Sequence, residues 1–270
     1  MMTDPISLLS YRFFQYALLG GSVAALVCAL IGLFVILRKE SMIGDGVAHI
    51  SFGGIALGLF LGVNPLITAL IVAILGVLAI GYMRSHGLAQ SDSAIAVMLA
   101  IGFSTGLILI SLAGGFNVDL FSYLFGSILT IGTNDLIIVT SLGLVSLAVV
   151  GVFYKELLSI TFDEEASRLI GVPVGLLSNI LNILVAVTIV LSIKVVGMIL
   201  VAALLVIPGL TALQLGMNFR DTVIAAILFG IISVVVGVFT SALFNVATSG
   251  VIVFTLVAFF LVTAAWRRLT

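Results

Sequence analysis

The sequence predicts an all-α, polytopic membrane bundle of about eight or nine transmembrane helices, with one short re-entrant or broken helix among them. Three observations predict it. Of the 270 residues, 63% are hydrophobic and 8% charged, and the mean hydropathy is +1.45. Soluble domains carry roughly 25% charged residues, so this chain has too little polar surface to face water. Its apolar residues come in runs of about 20, the length at which a helix spans a bilayer, and not in alternating ten-residue strands. The basic residues, finally, gather on one side once those runs are alternated.

Taken in order, the runs place spans near 14–37, 46–62, 65–83, 93–113, 135–153, 177–193, 196–215, 222–243 and 250–266. The first is too long for a cleaved signal and ends on Arg38-Lys39, a stop-transfer pattern. Pro65 stands in a tight outer turn, Val63-Asn64-Pro65. Ser91-Asp92-Ser93 offers a cap for the fourth span, and Asp119 a cap for the stretch 119–132. That stretch is interrupted by Gly126 and Gly132 and reads as short or re-entrant. Pro208 lies within an apolar run, where it removes a backbone donor and can break the helix. Gly53, Gly54, Gly58 and Gly62 recur at roughly helical spacing, as in ordinary close contact between membrane helices.

With the N-terminus outside, Arg38, Lys39, Arg84, Lys155, Arg168, Arg220, Arg267 and Arg268 fall in the cytoplasm. Only Arg12 and Lys194 of the 10 basic residues fall outside. The rule that cytoplasmic loops are basic then places loop 154–175 and the C-terminus inside. The chain reads as one membrane domain, 1–270. Its polar loops, of about 10–20 residues, are too short for a soluble domain. The net charge of −1 carries no message about nucleic acid. A single cysteine, Cys28, excludes an intrachain disulfide and a Cys-rich metal site; it reads as a small apolar filler. The sequence has no G-x-x-x-x-G-K-[ST] phosphate loop, so ATP hydrolysis is expected on another chain.

Two constellations carry chemistry. Asp45 and His49, in Gly44-Asp45-Gly46-Val47-Ala48-His49, are four residues apart and share a helix face. Ionisable side chains inside a membrane are costly and mark ion or proton paths. Carboxylate and imidazole are both ligands for first-row divalent metals. The alternative is a helix N-cap at Asp45 and one interhelical hydrogen bond from His49. Two protein ligands are too few for a closed site, which suits a conduit that must release its ion. The second constellation is the cytoplasmic loop Thr161-Phe162-Asp163-Glu164-Glu165-Ala166-Ser167-Arg168-Leu169-Ile170-Gly171. Thr161 can cap a short helix with acids in its first turn and Gly171 just past its end. It reads either as a solvated loop or as a docking helix for a partner. His86, beside Arg84, shows no ligand pattern, and Asn179, Asn182 and Asn245 read as interhelical hydrogen-bonders.

These residues resemble a known family. Leu37-Arg38-Lys39-Glu40-Ser41 through Asp45 and His49 is similar to the "LRR-x-S-L-x-x-D-x-x-x-H" segment of the permeases of ABC-type zinc and manganese importers, the ABC-3 family. Tyr123-Leu124-Phe125-Gly126 resembles its "YLFG", and Phe162-Asp163-Glu164-Glu165-Ala166 through Gly171 its "FDE-x-A-x-x-x-G". Val196-Gly197 through Pro208 resembles its "VG-x-x-L-v-x-A-L-L-v-x-P". The resemblance implies the membrane subunit of a type II ABC importer in a bacterial plasma membrane, working as a homodimer. Two copies of a separate ATPase would dock on the 161–173 helix, through Phe162, Asp163, Glu164, Glu165, Arg168 and Gly171. A metal-binding lipoprotein would deliver the ion from outside. Asp45 and His49 would be the metal ligands, with no permanently bound cofactor. The wording from Leu124 to Ile131 favours zinc as the transported metal, with manganese or iron as alternatives. The competing readings are a self-contained ion-coupled metal transporter and a non-transporting scaffold.

Overall fold

A computed structural model describes residues 9–115, 118–126 and 132–269. Twelve helices run through the described residues: α1 (Arg12–Leu37), α2 (Ile43–Leu61), α3 (Pro65–Ser85), α4 (Ser91–Leu112), α5 (Val118–Phe125), α6 (Thr133–Val152), α7 (Tyr154–Phe162), α8 (Glu164–Leu169), α9 (Val174–Val196), α10 (Met198–Leu213), α11 (Phe219–Phe244) and α12 (Thr248–Leu269). Eight are long and apolar enough to cross a membrane: α1, α2, α3, α4, α6, α9, α11 and α12. The side chain of Asp119, and residues 127–131 of the 124–131 motif, lie outside the described residues.

The shorter α10 has 16 residues, a length of about 24 Å. Its start lies against the end of α5: a Cβ on Gly197 would stand 2.4 Å from the Phe125 carbonyl carbon. Its end is held near the end of α12, where the Thr263 hydroxyl donates to Gln214 Oε1 at 3.1 Å. It therefore runs back through the bundle. Gly197, at φ 86, supplies the left-handed turn that separates it from α9, a conformation glycine adopts without strain. Pro208 does not break α10. The ring costs one bond to the carbonyl four residues earlier, but the helix continues, packed against α1, α2, α11 and α12. By contrast α5, with 8 residues, is too short to cross, as the glycine interruptions suggest.

α1 is the central post, packed against α9, α10 and α11, and α2 is wedged between α3 and α4. In lipid, side chains gain little by leaving the tails, so association depends on close packing of small residues. Gly53 and Gly102 bring α2 and α4 into backbone contact. A Cβ on Gly53 would meet the Gly102 carbonyl oxygen at 2.6 Å, and one on Gly102 would meet Ile50 Cα at 2.5 Å.

One helix start departs from the expected cap, and another carries a cap that the sequence reading did not name. α4 begins at Ser91 with Gln90 before it and no side-chain cap; the extended backbone at Gln90 puts Ser91-Asp92-Ser93 inside the first turn. α3 is capped by Asn64, whose Oδ1 accepts from the Leu66 and Ile67 N–H groups at 3.0 and 3.4 Å. Lys194, the outer exception to the basic pattern, lies 3.8 Å from Asp135 and 4.6 Å from the Tyr123 ring centroid.

Candidate metal site

α2 starts at Ile43 with Met42 before it and no side-chain cap. Asp45 is thus inside the first turn, and its carboxylate is free of the capping role that the alternative gave it. From Ile43 to Ala56 every residue is buried except Asp45 and His49. Their side chains are 43% and 25% exposed. Four residues apart on a helix, they open onto one face.

The depth of that face follows from its neighbours. A Cβ on Gly102 would stand 2.9 Å from the His49 carbonyl, and one on Gly76 would stand 2.7 Å from Ile50 Cγ2. Gly76 and Gly102 lie at the middles of α3 and α4, so His49 sits near the middle of the bundle. Asp45 is one turn closer to the cytoplasmic ends.

His49 Nδ1 is 3.0 Å from the Asp45 backbone carbonyl and 3.8 Å from its Oδ1. The shorter contact lets Nδ1–H donate to the carbonyl and leaves Nε2 as the lone-pair atom, an arrangement that fixes a ligating imidazole. The ring meets Phe103 of α4 edge-on, with centroids 5.4 Å apart, and Phe52 lies against the same Phe103. The described residues contain no group of three or more His, Cys, Asp or Glu that could hold a metal. One chain therefore offers one carboxylate and one imidazole, one turn apart on the same open face.

The cytoplasmic constellation is a separate cluster. Its cap is not the expected Thr161. Thr161 ends α7, its hydroxyl donating to the Leu157 carbonyl at 2.6 Å. Asp163 caps α8 instead, accepting from the Ala166 N–H at 2.9 Å, because its backbone (φ −151, ψ 101) breaks the chain between the two helices. α8 holds Glu164, Glu165 and Arg168, with Arg168 3.5 Å from Glu164. Gly171 follows its end at φ 86. Phe162, Leu169 and Ile170 are 64%, 88% and 76% exposed, a large apolar showing for a helix with charged neighbours.

Sequence reasoning missed what joins the two regions. Glu40, in the turn between α1 and α2, is buried. Arg84 Nη2 lies 2.7 Å from its Oε1, and Arg38 Nη2 lies 3.6 Å from Glu40 and 3.7 Å from Glu164. No local signal marks Glu40, since its partners come from distant elements. Arg38 and Arg84 carried a signal, but for topology alone.

Compared with known proteins, residues 10–267 match the family described as ABC 3 transport family. The "Manganese transport system membrane protein MntC" of Halalkalibacterium halodurans is 34% identical, over 91% of this chain and 84% of that protein. The "Manganese import system permease protein ScaB" of Streptococcus gordonii is 33% identical, over 94% of this chain and 91% of that protein. A solved structure, "PsaBC from Streptococcus pneumoniae in complex with Fab", superposes with a TM-score of 0.88 at 32% identity, covering 97% of this chain and 95% of that one.

Proposed function

The chain belongs to the ABC 3 transport family, and from that premise we propose that it is the permease subunit of an ATP-driven importer of divalent metal ions, with manganese as the cargo. The observation that carries this reading is the open face of α2: in a buried stretch, the two side chains that reach out are a carboxylate and an imidazole, near mid-membrane. A dication stripped of water there needs compensating charge and lone pairs. A second copy, related by a two-fold axis, would double the donors to two carboxylates and two imidazoles. The same pairing would cover a polar face that lipid solvates poorly.

Manganese is favoured by the names of the relatives and by a donor set with carboxylate oxygen and no thiolate. Zinc is the second reading, supported by the 124–131 wording. A separate ATPase supplies the energy and docks on α8, whose exposed apolar residues and charges suit a protein partner; two-fold symmetry gives two such contacts. A metal-binding protein delivers the ion at the outer surface.

Uptake of radiolabelled manganese and zinc, in cells making this chain with its ATPase, tests the proposal. Asp45→Asn keeps size and polarity but removes the charge, and His49→Ala removes the imidazole. Both variants, at matched membrane levels, should reduce uptake to background. Near-normal uptake by Asp45→Asn sinks the site. Zinc uptake that excess manganese fails to compete would move the cargo to zinc.

A further inference from the structure

We infer that Glu40 is a positioning residue that links the cytoplasmic helix α8 to the metal face of α2. This rests on the metal-permease reading above. Glu40 sits between the end of α1 and the start of α2, and its side chain is 8% exposed. A carboxylate so placed is costly unless paired. It holds Arg84 of α3 at 2.7 Å and Arg38 at 3.6 Å, and Arg38 in turn reaches Glu164 of α8 at 3.7 Å. The network therefore begins on the exposed helix that would meet the ATPase and ends in the turn that launches α2.

The turn transmits motion because it is rigid. The Ile43 N–H donates to the Glu40 carbonyl at 2.9 Å, and the Gly46 N–H to the Met42 carbonyl at 3.1 Å. Glu40 and the first turn of α2, including Asp45, are thus bonded into one unit. Lys39 within the turn takes a left-handed backbone, φ 59, uncommon for a residue with a side chain.

Arg38 gives the network a second arrangement. Its one nitrogen within reach of acid is shared between two carboxylates at long distance. Nε and Nη1 are buried without an acceptor among the described residues. A guanidinium with spare donors can close a two-bond contact with either acid. A cleft of about 550 Å³, lined by Arg38, Arg84, Glu164, Arg168, Gly175 and Asn182 among others, lies beside α8 and gives it room to approach. Movement of α8 toward the cleft tightens Arg38 on Glu164 and loosens it from Glu40. Movement away does the reverse, and the start of α2 follows.

The test uses the purified permease–ATPase complex in proteoliposomes, measuring manganese ions taken up per ATP hydrolysed, and manganese binding to the complex by equilibrium dialysis. Glu40→Gln should lower the ratio about tenfold, within the usual range of coupling between sites, while binding stays within about twofold. Glu40→Asp should restore most of the ratio. Because Glu40→Gln could fail to fold, Arg38→Gln breaks the same link at its middle, outside the surface proposed for the ATPase; it should lower the ratio in a complex that still assembles. Uptake and hydrolysis falling in parallel in both variants, or a ratio unchanged in Glu40→Gln or in an assembled Arg38→Gln complex, would overturn the link. Failure of the metal-permease reading shows separately, as wild-type binding and uptake in Asp45→Asn.

Discussion

Asp163 is where one side chain could serve two purposes, and a pair of substitutions separates them. Its carboxylate caps α8 through the Ala166 N–H, and it faces the surface assigned to the ATPase. An Asn cap is about as good as Asp, while Ala costs roughly 0.5–2 kcal/mol. Asp163→Asn should therefore leave α8 formed, and Asp163→Ala should fray it, read as faster hydrogen exchange at Ala166 and its neighbours. If the Asn variant exchanges as fast as the Ala one, the charge, and not the cap, holds α8. The sequence reading gave the cap to Thr161, and nothing local pointed to Asp163 in its place. The choice depends on where α7 ends, and Thr161 is spent on its own helix. Asp45 was ambiguous for a similar reason. Its spacing from His49 was legible at once, because helical periodicity is local. Whether it caps or projects depends on where α2 begins, and that is fixed in part by Glu40 pairing with Arg84 on another helix.

Among the elements, α2 and α4 depend most on each other. Their backbones touch at Gly53 and Gly102, and His49 hangs its carbonyl over the same contact. A methyl group at residue 102 has nowhere to go, since the atom it meets is the Ile50 Cα. Gly102→Ala should force the helices apart at a cost of about 1–3 kcal/mol, the usual penalty for overpacking, and should lower metal uptake by displacing His49 from Phe103. Gly151→Ala, with open space around the new methyl, should be neutral or slightly stabilising, because Ala favours helix more than Gly does. Thermal melts of the detergent-solubilised protein compare the two directly; equal melts would remove the contact's importance. The glycine spacing on α2 was readable as helix contact for Gly53, Gly54 and Gly58. Gly62 was not separable from them, although it has another use: it ends α2 at φ 69, with space around it. Pro208 shows the opposite limit. A helix-breaking residue signals a possible break, but the packing of α10 against α1, α2, α9, α11 and α12 decides whether the break occurs.

For the whole molecule, the unfinished surface is the face that carries Asp45 and His49. The neighbouring part of α4 continues it. Phe103 covers His49 and is 37% exposed, and Ala96, Ala100 and Leu107, on the same helical face, are exposed as well. A lipid-facing surface has no need of two ionisable groups at this depth, whereas the proposed two-fold pairing would make them a four-donor site. Such an interface is isologous, so a residue close to the axis meets its own copy. Ala100 tests this without touching a ligand. In a Cys28→Ser background, Ala100→Cys should form a disulfide-linked dimer in native membranes under mild oxidation, because a small exposed residue one turn from Phe103 brings two sulfurs within bonding reach if the faces meet. Val236→Cys, exposed on α11 away from that face, should stay monomeric. Added manganese should raise the yield at Ala100 if the ion bridges the copies, and Asp45→Asn should remove that rise while leaving the basal yield. Equal cross-linking at both positions would mean random collision. None at Ala100, nor at Ala96 tried in the same way, would mean that the face is covered by something other than a second copy.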